Sequence, residues 1–407
     1  MILGELAMDY MILIMNDMIK RYGLILLFAI ASVLSSCANI EPPDVSDRYN
    51  RVVLIYMAGN TTDGIGYELL GNLKDMESGY IPPVDGQNVL VAYVHTRGTN
   101  PLLIRFSKDR NFAVVKDTLY KYEAQVSTDP DVLRAVLEKT KEEFSAYEYG
   151  LIMSSHGTGW LSGNFRSRSA GTYSVDPYAH LVRAYGADID GTGSTKMELK
   201  DLRNAIPYKL SFLMFDCCFM GGIEVAYELR EKTDYLIASP AEIYIKGFPF
   251  DKIMRPFFET TLDMKRVCEE YYDYYSNSSS GGTISLVRSD KLEALANVCS
   301  TIFENHRAKI RLVNRGSIQR YYRTAGGTPY FWDLEHFIET IATPSEYANF
   351  KTAMAEAVPI KFATNYFYDL SIVRYSGLST YIPTASVESV ETMYKGLDWN
   401  IASGMIK

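Results

Sequence analysis

The fold of this chain is set by one stretch of sequence, Leu210-Ser211-Phe212-Leu213-Met214-Phe215-Asp216-Cys217-Cys218-Phe219-Met220-Gly221-Gly222. Its apolar run does not alternate with polar residues, which is typical of a strand buried on both faces of a parallel sheet. The paired glycines then allow a turn into a helix predicted at Ile223–Arg230. Buried thiols are common in cores, but a thiol between a strand end and a helix start lies near oriented amides that favour the nucleophilic thiolate. The stretch predicts an α/β fold with Cys217 or Cys218 as a reactive cysteine.

A second apolar run ends in the same way earlier in the chain, at Tyr149-Gly150-Leu151-Ile152-Met153-Ser154-Ser155-His156-Gly157-Thr158-Gly159-Trp160. Strands of one parallel sheet share an edge at their carboxyl ends, so His156 is expected to meet the cysteines there. A histidine in that place accepts the thiol proton and later protonates a leaving amine, as acyl transfer through a thioester requires. The two motifs predict a cysteine–histidine dyad.

Strands and helices alternate over residues 51–256 and change character after Pro256. This alternation indicates a three-layer α/β domain with a mostly parallel sheet. The predicted strands are Arg51–Asn60, Asn88–His95 and Leu102–Phe106, with a hairpin partner at Asn111–Val115, and the predicted helices are Tyr67–Ser78 and Asp129–Tyr147. Longer helical patterns at Leu262–Tyr275 and Asp290–His306 then mix with strands at Thr283–Val287, Tyr366–Leu370 and Gly377–Ile382. Residues 257–407 are therefore predicted to form a C-terminal α+β subdomain.

The N-terminus carries the pattern of a secretory signal. A Lys-Arg pair precedes the apolar run Gly23–Leu34, which is too short to span a bilayer comfortably. The run closes in Leu-Ser-Ser-Cys37, which resembles a bacterial lipobox with Cys37 as the lipidated first residue; a plain signal peptide or a retained anchor is the alternative. Acidic residues before Met18 suit neither, so Met18 is a candidate start. We expect a signal or lipoprotein segment at 1–37, a polar tether at 38–50, and an exported protein anchored by lipid to the bacterial outer membrane, facing the periplasm or the surface.

Composition excludes some classes of function. A net charge of -8 over 407 residues provides no basic surface for nucleic acid. The five histidines are scattered and no Cys-x-x-Cys pair occurs, so no zinc site is predicted. A disulfide between Cys268 and Cys299 is left open by the count of cysteines.

An acidic loop, Asp188-Ile189-Asp190-Gly191-Thr192-Gly193, partly matches a calcium-binding loop. Thr192 and Leu199 occupy the fifth and twelfth positions, where that loop needs oxygen ligands. The pattern Thr195-Lys196-Met197-Glu198 instead predicts a capping box that opens a helix at Met197–Ala205.

The two motifs resemble the clostripain family of caspase-fold cysteine peptidases, whose pattern is a strand-final His-Gly followed later by Asp-Ala-Cys-Leu-Met-Gly. Matched residue by residue, Cys218 takes the place of the nucleophile and Cys217 that of the alanine. The resemblance begins near residue 51 and continues through Glu224–Leu229, Ala238-Ser239, Gly247–Phe250 and Gly377–Tyr381.

The resemblance implies a caspase-like three-layer sandwich and peptide-bond hydrolysis by Cys218, with His156 as general base and acid. The amides of Gly157 and Cys218 are the expected oxyanion donors. His95 also ends a predicted strand, but its neighbours do not match the family. His336 is read as a packing or surface residue of a helix.

The family places an acid in its primary specificity pocket, which selects arginine or lysine before the cut, and Asp216 matches that acid. Ser239 and Lys246 align with the cleft loop of the family, Lys246 where a second acid often stands. A lysine there would weaken binding of a basic side chain. The family also cleaves itself after a basic residue between histidine and cysteine, and Arg166 and Arg168, in a loop rich in small polar residues, are the candidate sites.

We expect a peptide or protein substrate, no required cofactor and a monomeric protein. Members of the family can bind calcium, so a calcium site is left open. The alternative function is a non-catalytic lipoprotein that binds peptides or partners on the same fold. A further alternative is another cysteine–histidine acyl transferase, such as a sorting or amide-ligating enzyme.

Overall fold

The computed structural model describes residues 48–162, 197–323 and 330–407, together with the backbone of 188–190 and 193–195. The predicted signal segment with Cys37, most of the tether, and the candidate cleavage sites Arg166 and Arg168 lie outside these residues. Within them, no helix has the length and apolar character needed to cross a bilayer. Residues Tyr49–Lys407 form one compact unit.

Fourteen strands are seen in the described residues. They are β1 (Tyr49–Gly59), β2 (Asn88–Thr96), β3 (Leu102–Lys108), β4 (Val114–Lys121), β5 (Ala146–Ser154), β6 (Asp188–Asp190), β7 (Gly193–Thr195), β8 (Leu210–Asp216), β9 (Thr233–Ala238), β10 (Gly281–Arg288), β11 (Trp332–Asp333), β12 (Ile360–Phe367), β13 (Leu370–Ser371) and β14 (Ser379–Thr380). Ten of them form one sheet in the order β13-β12-β10-β9-β8-β5-β1-β2-β3-β4.

The centre of this sheet is parallel, as the apolar runs predict. Strands β2, β1, β5, β8 and β9 pair in parallel, and antiparallel strands extend the sheet at both ends. The central strands lie between layers of side chains on both faces, and Val52–Met57 and Phe212–Phe215 are buried throughout. Strands β10, β12 and β13 come from the predicted C-terminal subdomain, so residues 257–407 extend the sheet of the core.

Helices flank the sheet and pack on one another. They are α1 (Ile65–Ser78), α2 (Pro130–Glu143), α3 (Leu199–Ala205), α4 (Ile223–Glu228), α5 (Phe250–Ile253), α6 (Met264–Ser276), α7 (Leu292–Asn305), α8 (Arg307–Ile310), α9 (Leu334–Ile341), α10 (Pro344–Ala357), α11 (Val390–Tyr394) and α12 (Asp398–Ser403). The amphipathic helix α2 begins at Asp129, whose carboxylate accepts a hydrogen bond from the amide of Asp131. The predicted three-layer α/β architecture is confirmed.

Several predicted boundaries were wrong, each for a local reason. Helix α2 ends at Glu143, because β5 already begins at Ala146. The hairpin partner expected at Asn111–Val115 lies later, as β4, because Asp109 Oδ1 accepts hydrogen bonds from two amides and holds residues 109–113 in the turn. Thr195 belongs to strand β7 and α3 begins at Leu199, so the capping box predicted at Thr195–Glu198 is wrong.

Candidate active site

The two motifs lie side by side at one edge of the sheet. Strands β5 and β8 are parallel neighbours, and Ser154 pairs with Asp216 at their ends. Beyond this pair the backbones touch, because a Cβ atom added to Gly157 would lie 2.3 Å from the carbonyl oxygen and 3.1 Å from the amide nitrogen of Cys218. The structure therefore brings the loop that carries His156 into contact with the backbone of Cys218.

The two neighbouring thiols have different surroundings. Cys217 Sγ donates to the carbonyl of Met153 at 3.3 Å and lines a cavity of about 100 Å³ that also contains His156. Cys218 is fully buried, and its sulfur accepts a hydrogen bond of 3.2 Å from the amide of Ile243. The thiol of Cys218 also donates to the carbonyl of Ile243 at 3.8 Å, but an amide that donates to sulfur favours the thiolate, and this amide is what distinguishes Cys218 from Cys217.

His156 is held by an acid that the sequence did not single out. Its side chain is 4% exposed, and Nε2 lies 2.8 Å from Oδ2 of Asp63 on the loop between β1 and α1. Burial raises the pKa of Asp63, but the contact with His156 and the hydrogen bonds from Thr61 and Ile65 outweigh it, so the pKa lies well below its ordinary value. The available signal was position: β1 is the neighbour of β5, so an acid just after β1 lies at the same sheet edge.

His95 makes different contacts from those of His156. It is buried near the end of β2, and Nδ1 lies 2.6 Å from the hydroxyl of Ser127. That hydroxyl also lies 3.0 Å from the hydroxyl of Tyr93. Ser127 lines the same cavity as His156, so His95 supports the wall of the site.

The loop after β9 covers the other side of the cysteine motif. Asp216 is fully buried at the end of β8. Ser239 is also fully buried, and its hydroxyl lies 2.7 Å from the hydroxyl of Thr283. Glu242, next to Ile243, binds the guanidinium of Arg323 through two contacts of 2.5 and 3.1 Å, with both side chains buried. This buried pair joins the cleft loop to the C-terminal part of the chain.

Lys246 lies farther along the same loop and contacts other groups. Its ammonium is 4.0 Å from Asp75 of α1, and its side chain is 49% exposed. The pKa of Lys246 is raised, chiefly by Tyr274 and also by Asp75 and Asp251. These side chains share a polar depression with Lys246, so its charge is paired there.

The C-terminal part of the chain packs directly on the cysteine loop. The amide of Ser379 donates to the carbonyl of Gly221 at 3.0 Å. The ring of Phe331 stacks on Phe219, with centroids 4.4 Å apart. Phe219 has a φ of 62°, a strained value for a residue with a side chain, and its amide donates to the carbonyl of Ala241. Contacts on three sides hold this turn in place.

One buried carboxylate links both loops to the same C-terminal segment. Oε1 of Glu224 accepts hydrogen bonds from the hydroxyl of Thr380, the amide of Tyr381 and the hydroxyl of Tyr394, at 2.9, 2.8 and 2.9 Å. The rings of Tyr381 and Tyr394 in turn pack on Trp160, which follows His156. The segment thus bridges the histidine and cysteine loops.

Glu224 is expected to make stability depend on pH. Burial raises its pKa to about 7, against the lowering effect of these hydrogen bonds. A carboxyl whose pKa is higher in the folded than in the unfolded state stabilises fully below about pH 4 and loses this contribution as pH rises to about 7. The free energy of unfolding of the native chain, minus that of Glu224→Gln, should therefore fall by about 3 kcal/mol between about pH 4 and about pH 8.

Chemical denaturation at both pH values measures this difference. Glu231→Gln, at a side chain that is 76% exposed, is the matched control and should show no such change. A Glu224 difference that stays constant with pH would contradict the assignment.

The remaining thiols and His336 have structural surroundings. Cys268 and Cys299 are buried and not bonded to each other, and burial raises the pKa of both thiols. Nδ1 of His336 accepts a hydrogen bond from the amide of Gln319, and burial lowers its pKa. The described residues contain no cluster of three His, Cys, Asp or Glu side chains that could hold a metal ion.

The chain is similar in sequence and in fold to known proteins. The sequence profile of the Clostripain family matches residues 55–370. Clostripain from Hathewaya histolytica is 27% identical over 239 residues, which cover 51% of this chain and 42% of that protein, so the chain spans less than half of that relative.

Two solved structures share the fold. An inactive zymogen of a C11 protease from Parabacteroides distasonis has a TM-score of 0.74 and 29% identity, covering 88% of this chain and 98% of its own. A secreted C11 cysteine protease from Bacteroides thetaiotaomicron, in complex with an irreversible peptide inhibitor, has a TM-score of 0.72 and 28% identity, covering 87% of this chain and 99% of its own. With both motifs inside the matched residues, the chain belongs to the Clostripain family.

Proposed function

We propose that this protein is a cysteine endopeptidase in which Cys218 attacks the peptide carbonyl and His156 transfers the proton. The observation that carries the proposal is the close approach of Gly157, next to His156, to the backbone of Cys218. His156 takes the thiol proton, the thiolate adds to the carbonyl carbon, and the amine leaves with the proton to give a thioester. Water then cleaves the thioester and restores the thiol. The amides of Gly157 and Cys218 are the proposed oxyanion donors.

The proposed preference is for arginine or lysine before the cut, with Asp216 as the acid of the pocket. A carboxylate pairs with a guanidinium in a bidentate manner. The cleft loop already holds one guanidinium in this way, since Glu242 binds Arg323 one residue from the amide that contacts Cys218. The pairing of Lys246 with Asp75 supports the preference, because a paired lysine opposes a basic substrate less.

A panel of fluorogenic peptides tests this preference. Peptides with arginine or lysine before the scissile bond should be cleaved at least about 10-fold faster than matched neutral peptides. Asp216→Asn should reduce this ratio while cleavage of neutral peptides changes little. Equal rates across the panel would reject the basic preference and leave the peptidase assignment standing.

We propose that the intact chain is latent and is activated by cleavage after Arg166 or Arg168. The supporting observation is the complete burial of Cys218 in the intact chain. The same burial fits the alternative of a non-catalytic binding protein. An irreversible peptide inhibitor distinguishes the two: after incubation or limited trypsin treatment, mass spectrometry should find it on Cys218, and a failure to label with varied peptides would favour the binding protein.

Lipid attachment at Cys37 and export to the outer membrane are also proposed, on the signal-like N-terminus and on the likeness to a secreted relative. Metabolic labelling with a radioactive fatty acid should mark the native chain and leave Cys37→Ser unlabelled. Labelling of both would place the lipid elsewhere.

A further inference from the structure

The loop between β1 and α1 carries Asp63, whose carboxylate is held by hydrogen bonds within the loop and also contacts His156. Oδ1 of Asp63 accepts hydrogen bonds from the hydroxyl of Thr61 at 2.6 Å and from the amide of Ile65 at 3.3 Å. Oδ2 is the oxygen that lies 2.8 Å from Nε2 of His156. One oxygen thus anchors the carboxylate, and the other lies beside the imidazole, where its negative charge attracts a proton to Nε2.

The second ring nitrogen of His156 remains available as a base. Both ring nitrogens are buried and neither makes a hydrogen bond of standard geometry among the described residues, and Nε2 is the one that lies within ion-pair distance of Asp63. When a carboxylate holds the proton on one ring nitrogen, the other nitrogen keeps its lone pair. The carboxylate beside Nε2 therefore favours a proton on that nitrogen, which leaves Nδ1 to accept the next one.

We propose that Asp63 is a positioning residue of the peptidase reaction, which holds Nε2–H of His156 so that Nδ1 takes the proton of the Cys218 thiol. This inference rests on the proposed function. The proton moves from Sγ to Nδ1 and then to the leaving amine, while Asp63 stays ionised and stabilises the imidazolium in between. The low pKa of Asp63 agrees with a permanent negative charge at this place.

Asp63 is the charged side chain that can stabilise the imidazolium of His156. The other titratable side chains that line the shared cavity are Tyr56 and Cys217, and Cys218 lies against Gly157. Since the described lining residues include no cation, Asp63 is the permanent charge in contact with the imidazole.

Nitrogen NMR of histidine tests the tautomer without any need for activity. In the Cys218→Ala background, the ¹⁵N shifts of His156 should show a protonated Nε2 and an unprotonated Nδ1 in the neutral ring. Asp63→Asn should weaken this preference. A neutral ring with its proton on Nδ1, or a tautomer unaffected by Asp63→Asn, would overturn the proposal.

Kinetics test the consequence for the reaction. In Asp63→Asn and Asp63→Ala, kcat should fall by roughly 10- to 100-fold with little change in KM. The imidazolium loses its counter-charge, so the basic limb of the pH profile of kcat/KM should move to lower pH. Asp63→Glu should recover part of the activity. Asp234→Asn is the matched control, because Asp234 is similarly exposed but pairs with Lys209 near the opposite edge of the sheet.

The outcomes separate this proposal from the proposed function. Inactive Cys218→Ala together with fully active Asp63→Asn and Asp63→Ala would refute the role of Asp63 alone. Lower kcat with an unmoved basic limb, or losses that follow a lower melting temperature, would assign Asp63 a purely structural role and also refute it. Activity that survives in Cys218→Ala would refute the proposed function itself.

Discussion

When both proteins are first activated with trypsin, Cys218→Ala is expected to abolish the peptide cleavage seen in the native sequence, with a loss of roughly 10⁴-fold or more in kcat, because Cys218 is the proposed nucleophile. Cys217→Ala should keep nearly full activity. Although Cys217 shares a cavity with His156, its thiol donates to the carbonyl of Met153, which opposes the thiolate. The thiol of Cys218 also contacts a carbonyl, that of Ile243 at 3.8 Å, but its sulfur accepts in addition a hydrogen bond from the amide of Ile243 at 3.2 Å, which favours the thiolate.

Each variant serves as the control for the other, since both remove one sulfur atom from a buried thiol. Initial rates on an arginine peptide and on a neutral peptide, together with melting temperatures, measure the difference. Either variant should lose only about 1 kcal/mol of stability. If Cys217→Ala were inactive and Cys218→Ala active, the assignment of the nucleophile would be reversed.

The parallel centre of the fold could be predicted because its cause is local. The runs before Asp216 and His156 are apolar on both faces, and such runs belong to buried parallel strands. Parallel strands present their ends at one edge, so the meeting of the two motifs followed from strand type. Helix ends were harder to predict: α2 stops at Glu143 because β5 begins there, and helical propensity does not contain that information.

The contacts that complete the site join residues far apart in the chain. Asp63 reaches His156 across a turn after β1, and Arg323 reaches Glu242 from the C-terminal part. From the sequence alone, an aspartate in a polar turn is interpreted as a turn residue, because its contact with a distant side chain depends on which strand lies next to its own. The sequence motifs therefore indicated the candidate reacting groups, whereas the residues that contact them from distant parts of the chain became visible only through tertiary packing.

Gly157→Ala is expected to lower kcat by about 100-fold, because it increases the distance between the loop that carries His156 and the loop that carries Cys218. A Cβ atom at position 157 would lie 2.3 Å from the carbonyl oxygen of Cys218 and 2.9 Å from Cβ of Cys217. The nearest obstacle is backbone, which cannot rotate away, so the loops must separate. A misplacement of about 1 Å between reacting groups costs about 10²-fold in rate.

The stability cost should stay moderate, about 1–3 kcal/mol, because such overpacking is relieved at a loop. Gly71→Ala is the matched control, since no atom lies within 4 Å of a Cβ at that position of α1, and alanine there should leave kcat unchanged and stabilise the helix by up to about 1 kcal/mol. Steady-state kinetics and the rate of inhibitor labelling at Cys218 measure the effect. Labelling should slow in parallel with kcat, because thiolate attack needs His156 in place. A Gly157→Ala variant with unchanged kcat and labelling would mean that close contact of the loops is not required, and the geometric basis of the dyad would fail.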